Sequence, residues 1–208
     1  VLHMHLSWSM HFGVIAAIGL GYFTIFTEHN IFHRRMRIPL FFLIERFFYK
    51  SLDSIICISN DVRISLFNWL RVPKIKDKTI VIYNGVKQLS YKERIYKPDQ
   101  RINIISVGSL TYQKGFDKVI EALPLLRDIV GKYIILGEGV ERKKLEKLID
   151  YYSLEEIVLM PGYVDNIQPY VDKSDLGLIP SRWEGFGLCS IELLSAGLPL
   201  LVSNIPGV

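Results

Sequence analysis

Two acids, Glu184 and Glu192, flank seven residues, Gly-Phe-Gly-Leu-Cys-Ser-Ile. A carboxylate accepts two hydrogen bonds side by side, so it suits a ligand with adjacent hydroxyls. Between the acids, Gly185, Phe186 and Gly187 lead into an apolar helical pattern that starts at Leu188. Unpaired N–H groups at a helix entry suit phosphate oxygens or hydroxyls. Glu192 follows Leu188 by four residues, so it shares that face and stays near the helix start. A buried carboxylate is costly unless satisfied, which makes a diol the fitting partner. The plainer alternative is a surface acid plus an acid that complements a helix dipole.

Three more loops carry similar chemistry. In Val107–Leu123 a strand ends at Gly108, a polar loop with Ser109 follows, and Lys114-Gly115 opens a helix. A lysine beside a helix N-terminus suits a phosphate. Phe116 stands where a Walker A loop has Ser or Thr, so this is not that motif. A solvated loop lysine with a packing glycine is the competing reading. In Leu136–Leu148, Gly137 and Gly139 lack a third glycine, so a dinucleotide fingerprint is incomplete, and Glu138 reads as a capping residue. In Met160–Asn166 a glycine after a strand lets backbone approach a flat ligand, while Asp165 or Asn166 equally suits a helix N-cap.

These loops need a scaffold that presents strand ends to helix starts. Nine short β-rich runs supply it: VLHMHL, YFTIFT, SIICIS, TIVIYN, INIISVG, KYIILG, EIVLMPG, DLGLIP and LPLLVS. Helical patterns lie between most of them, over 9–20, 39–51, 61–70, 115–129, 140–152, 167–173 and 188–196. Strands that are continuously apolar rather than alternating belong to parallel sheets covered on both faces. The predicted class is therefore α/β, with two Rossmann-like doubly wound parallel-sheet domains. The pattern lapses in the polar stretch 85–101, where a linker fits. The expected division is 1–95, the later part of a first domain with its linker, and 96–208, most of a second. Both domains are expected to be incomplete, since the chain starts at Val1 inside a strand-like run and ends at Val208 soon after another.

From Trp8 to Thr27 no Asp, Glu, Lys or Arg occurs, over a length close to the ~20 residues of a spanning helix. His11, the GLGY break and the strand-like YFTIFT favour a buried helix followed by a strand. The 208 residues are 50% hydrophobic and 22% charged, with a net charge of +4. The basic residues are dispersed, so a nucleic-acid partner is not expected. Cys57 and Cys189 are far apart in apolar runs and read as reduced thiols of a cytosolic protein. His3, His5 and His11 have no metal-ligand spacing.

The set of motifs resembles the retaining nucleotide-sugar glycosyltransferases of family 4, which have the GT-B fold. The match is the E-x7-E of Glu184 and Glu192 followed by LLSAGLPLLVSNIPG, together with VGSLTYQKGFDKVIEAL, LGEGVERKKLEKL, MPGYVDN, SDLGLIPS and VIYNGV. The resemblance implies transfer of a sugar from a nucleotide diphosphate sugar to an acceptor hydroxyl with retention, in bacterial-type surface polysaccharide or glycolipid synthesis. It implies that Lys114, with Gly108 and Ser109 nearby, faces the donor diphosphate. Glu192 would hold the ribose, and Glu184, Gly185 and the amides of Phe186, Gly187 and Leu188 the donor sugar. Tyr163 and Val164 would face the base. FTEHN resembles the family's strand-end histidine segment, which makes His29 a candidate for the sugar side; a loop histidine turning with Asn30 is the alternative. No cofactor and no metal are implied. Partners would be the donor and a saccharide or lipid-linked acceptor, in a cytoplasmic protein or one peripheral at the inner membrane face.

Two departures stand out. The family has arginine five residues before the lysine, where this chain has Ser109, so one cation is absent or Arg182 replaces it. The family's N-terminal Gly-rich loop would precede Val1. A GT-B sugar-nucleotide epimerase and a non-catalytic sugar-nucleotide binding module are the alternative functions. The segment 33–50 reads either as an interfacial amphipathic helix or as a core helix with a basic cap.

Overall fold

A computed structural model of the chain describes residues 1–32, 36, 38–95 and 100–207. The chain forms two compact units. The first comprises Val1–Gly85 with Glu184–Phe186 and Gly207; the second comprises Val86–Trp183 with Gly187–Pro206 and Val208.

The first unit alternates β1 (Leu2–His5), α1 (Ser7–Ala17), β2 (Thr24–Glu28), α2 (Pro39–Ser51), β3 (Ser54–Cys57), α3 (Asn60–Leu70) and β4 (Thr79–Val81). Its strands are all parallel, in the order β1-β2-β3-β4. Ser59 caps α3 by accepting from Val62 N at 3.1 Å, as a serine at a helix start should. The core gathers Met10, Phe26, Tyr49, Ile55, Leu66 and Ile75. Each such side chain contributes about 1.5–3 kcal/mol by leaving water. The uncharged stretch after Trp8 forms α1 and then β2, helix before strand as expected, but the helix is not the buried one predicted: it buries Met10, His11 and Val14 and leaves Trp8, Phe12 and Ile15 exposed. Among the described residues no helix is long and apolar enough to cross a membrane.

In α2, Glu45, Phe48 and Tyr49 are buried while Leu43 and Phe47 stay exposed. His11 Nε2 and Glu45 Oε1 lie 3.0 Å apart, a buried hydrogen bond that ties α1 to α2. Of the basic run that precedes this helix, His33, Arg34, Arg35 and Arg37 lie outside the described residues.

The second unit holds β5 (Ile102–Val107), α4 (Phe116–Ala122), β6 (Val130–Leu136), α5 (Arg142–Tyr151), β7 (Val158–Gly162), α6 (Gln168–Val171), β8 (Leu176–Ile179), α7 (Leu188–Ser195) and β9 (Leu200–Val202). The strands are parallel, in the order β7-β6-β5-β8-β9. Ile104, Tyr133 and Ile135 enter one core cluster, and their neighbours Ile105, Ile134 and Leu136 enter the other. Both faces of the sheet are thus covered, which is why these strands are continuously apolar.

The helix expected over 115–129 ends at Ala122 and continues as a 3-10 turn, Leu123–Leu126. Pro124 has no N–H to continue the α pattern. Residues 87–94, which the sequence grouped with the first domain, are bonded to the second unit. Leu89 N donates to Ser195 Oγ at 2.9 Å, Ser90 and Gln168 bond reciprocally, and Arg94 donates to the carbonyls of Ser174, Ala196 and Val171. A polar segment satisfied by main-chain acceptors has no apolar period to reveal where it docks.

Candidate functional site

In the second unit the chain steps outward from β5 to β6 to β7, then returns to the opposite side of β5 at β8. Parallel sheets bind ligands beyond the carboxyl ends of strands where the order reverses. A pocket of about 420 Å³ lies there. Gly108 and Ser109 enter it from the end of β5, Gly137 and Glu138 from β6, Tyr163 and Val164 from β7, and Glu192 from α7. Five of the expected site residues are therefore brought together: Gly108, Ser109, Tyr163, Val164 and Glu192.

Glycine is required where these strand ends meet. Gly137 has φ 145° and a Cβ there would fall 2.0 Å from Gly108 O. Gly108 in turn lies under the Lys114 side chain, whose Cε would be 3.2 Å from a Cβ at that position. The half-buried Lys114 therefore runs along the floor that ends β5. It closes a 3-10 turn, Tyr112–Lys114, ahead of Gly115, whose φ of 69° marks the left-handed region.

Gly187, also left-handed at φ 59°, precedes α7, and Ser190 N donates to its carbonyl at 2.8 Å. The helical period predicts an apolar face of Leu188, Ile191, Leu194 and Leu198 here, and of these only Leu198 is fully buried. Leu188 and Leu194 are largely exposed, and the buried positions are Ser190 and Leu193, with Ala196 and Leu198 beyond the helix end. The spacing argument still pairs Glu192 with Leu188, but on the face turned away from the core. Burial pushes the Glu192 carboxyl above its ordinary range, so this acid is held partly dry.

Glu138 is not the expected cap. Helix α5 starts at Arg142 with Glu141 at its N-cap, while Glu138 takes a two-pronged bond from Arg142 at 2.8 and 2.7 Å. That bond holds its carboxyl below the usual range. The four-residue spacing of Glu138 and Arg142 was the available signal. Asn166 does act near a helix start, accepting from Gln168 N at 3.1 Å. Lys87, Leu89 and Ile167 line the pocket too, without any motif in the sequence to announce them.

Arg182 was one answer to the cation missing at Ser109. Its fork is instead committed to Asp117, at 2.9 and 2.8 Å, and its plane stacks 3.9 Å over the Tyr112 ring.

Glu184, Gly185 and Phe186 group with the first unit, as does His29. Glu184 is buried. Gly185 packs tightly on the end of β2: a Cβ there would meet His29 O at 2.2 Å, and Ser59 Oγ donates to Gly185 O at 2.8 Å. Three histidines meet at this end of the sheet. His5 Nδ1 and His29 Nε2 are 3.0 Å apart, and the His3 ring lies 4.4 Å from that of His5. Burial, then neighbouring His5, lowers the His29 pKa. Parallel pairing of β1 with β2 creates this cluster, which linear spacing hid. Among the described residues no group of three His, Cys, Asp or Glu is arranged to hold a metal ion.

The model of a family described as "Glycosyl transferases group 1" matches residues 88–208, and that of "Glycosyltransferase Family 4" matches residues 1–88. The O-antigen biosynthesis glycosyltransferase WclY of Escherichia coli is 35% identical over 137 residues, covering 62% of this chain and 38% of that protein. An uncharacterized glycosyltransferase of Methanocaldococcus jannaschii, MJ1607, is 34% identical over 175 residues, covering 76% of this chain and 42% of that protein. The chain spans about two fifths of the length of these relatives. Among solved structures, sucrose-phosphate synthase from Thermosynechococcus elongatus superposes with a TM-score of 0.83 at 20% identity, over 99% of this chain and 56% of that one. Anabaena Alr3699/HepE in complex with UDP and glucose gives 0.81 at 19%, over 99% and 60%. At these identities the likeness shows a shared fold, the GT-B class of two Rossmann-like units.

Proposed function

Since the chain belongs to the family 4 glycosyltransferases, with the group 1 region over residues 88–208, we propose that it transfers a sugar from a nucleotide diphosphate sugar to an acceptor hydroxyl with retention at the anomeric carbon. The observation that carries this reading is the pocket at the strand reversal, where Glu192 is desolvated beside the glycine ends of β5 and β6. A ribose diol relieves that desolvation with two hydrogen bonds to one carboxylate. Backbone at Tyr163 and Val164 offers a surface for a flat base.

The leaving group is a nucleoside diphosphate, so the reaction needs charge stabilisation where the diphosphate departs. Lys114 supplies a cation, and the amides at the start of α7 supply the positive end of a helix dipole. In this reading no cofactor takes part. Glu184 acts on the sugar rather than as a conventional nucleophile, the departing phosphate takes the acceptor proton, and His29 serves the sugar side. The similarity to an O-antigen biosynthesis enzyme supports surface polysaccharide or glycolipid synthesis, with a saccharide or lipid-linked acceptor.

The test screens the full-length protein against a panel of nucleotide sugars by thermal shift, then follows labelled donor into product. Glu184→Ala should abolish transfer and keep nucleotide binding. Near-normal transfer by that variant would remove the site assignment. Epimerised donor without transfer to any acceptor would point instead to an epimerase, and binding without turnover to a binding module.

A further inference from the structure

The loop that carries Lys114 is bound to a second loop, Pro180–Trp183, by several independent contacts. Arg182 N donates to Gln113 O at 2.7 Å, and Gln113 Nε2 returns a bond to Trp183 O at 2.9 Å. The Arg182 guanidinium donates to Tyr112 O at 2.5 Å and stacks on the Tyr112 ring. Its two terminal nitrogens reach both oxygens of Asp117, in the first turn of α4. The two side chains are only 19% and 11% exposed. Gly115 closes the approach, since a Cβ there would lie 2.1 Å from Pro180 O.

A planar guanidinium held by a carboxylate, a carbonyl and a ring has little freedom left. Lys114 lies between the two partners of Arg182, with Tyr112 two residues before it and Asp117 three residues after it. Fixing both flanks fixes where the lysine stem leaves the backbone. We propose that the Asp117–Arg182 pair is a positioning clamp that aims Lys114 at the diphosphate of the donor. The proposal rests on the reading of Lys114 as the diphosphate cation. It also gives Arg182 a role opposite to that of a spare cation for the position of Ser109. Burial raises the Asp117 carboxyl, but bonding to and charge from Arg182 outweigh it and hold the pKa below the ordinary range, so the clamp is ionic at neutral pH.

The two roles predict opposite signs. Asp117→Asn nearly preserves shape and loosens the guanidinium. A clamp predicts weaker binding of inorganic pyrophosphate by about tenfold and a comparable fall in kcat, because small misplacements of a catalytic group are costly. A spare cation predicts tighter binding. The experiment measures pyrophosphate affinity by calorimetry and transfer kinetics on the full-length protein, for Asp117→Asn in the parent and in a Lys114→Ala background. The clamp acts through Lys114, so the second background should show no further loss. Asp117→Glu should recover part of the affinity. Arg182→Lys, which keeps the charge but loses the fork, repeats the cycle if Asp117→Asn does not fold. Unchanged or tighter binding, a loss that multiplies with Lys114→Ala, or a lowered melting temperature with unaltered kcat and KM would each overturn the clamp. If Lys114→Ala itself leaves pyrophosphate binding and transfer intact, the reading of Lys114 fails first, and the clamp with it.

Discussion

The carbonyl oxygen of Gly108 occupies the place that a Cβ on Gly137 would need, at 2.0 Å. The ends of β5 and β6 can sit this close only because residue 137 has no side chain and adopts φ 145°. Gly137→Ala should therefore destabilise the protein by about 3 kcal/mol, combining overpacking with backbone strain. Nucleotide binding should be lost with it, since both residues line the pocket. Denaturant unfolding and thermal shift with nucleotide check the two effects; a variant with parent stability and affinity would refute the close approach.

Glu192 carries a pH signature. Its folded pKa lies above the ordinary value of 4.5, and burial is the cause. The stabilising contribution of the neutral acid is complete below the unfolded pKa and is lost as pH rises through the folded value. Glu192→Gln removes that loss. The variant should be more stable than the parent at pH 7, with the difference vanishing below about pH 4. It should also bind nucleotide about tenfold more weakly, because bonds to a charged acceptor are lost. Melting curves across pH test the first part, and equal stability at pH 7 would contradict it.

Ser109 is exposed and lines the pocket. Ser109→Arg should tighten binding of a nucleoside diphosphate by about tenfold and steepen its dependence on salt. Calorimetry at two ionic strengths reads both. Weaker binding would mean that this edge of the pocket does not face phosphate.

Cys57 lies fully buried in β3, and burial pushes its thiol pKa up to about 12, with the nearby Glu28 adding to the shift. Iodoacetamide at pH 8 should leave it unmodified in the native protein and label it in urea. Native labelling of Cys57 at the rate of a free thiol would show that β3 opens readily.

The strands of the described residues were legible as apolar runs, most clearly where burial on both faces demands an unbroken one, as in Tyr133–Leu136. That Gly108 and Glu192 would lie at strand ends and helix starts was legible from local signatures, whereas Ser109, Tyr163 and Val164 were named through the family motifs; all five line one pocket. What sequence spacing missed needed the tertiary fold. Asp117 at the start of α4 meets Arg182 on a distant loop, His5 reaches His29 through strand pairing, and His11 finds Glu45 on another helix. The buried face of α7 was misjudged because its sequence is apolar nearly all round, so period alone could not choose Leu193 over Leu194.

The central place of β5 has a consequence for biosynthesis. Ile104 and Ile105 pair on one side with β6, and on the other with Leu176 and Gly177, about 70 residues later. At a synthesis rate of roughly 5–20 residues per second, that second edge stands unpaired for roughly 4–14 s. The nascent chain thus carries an open, strongly apolar strand edge until β8 emerges. A chaperone that binds extended apolar segments would meet this protein at β5.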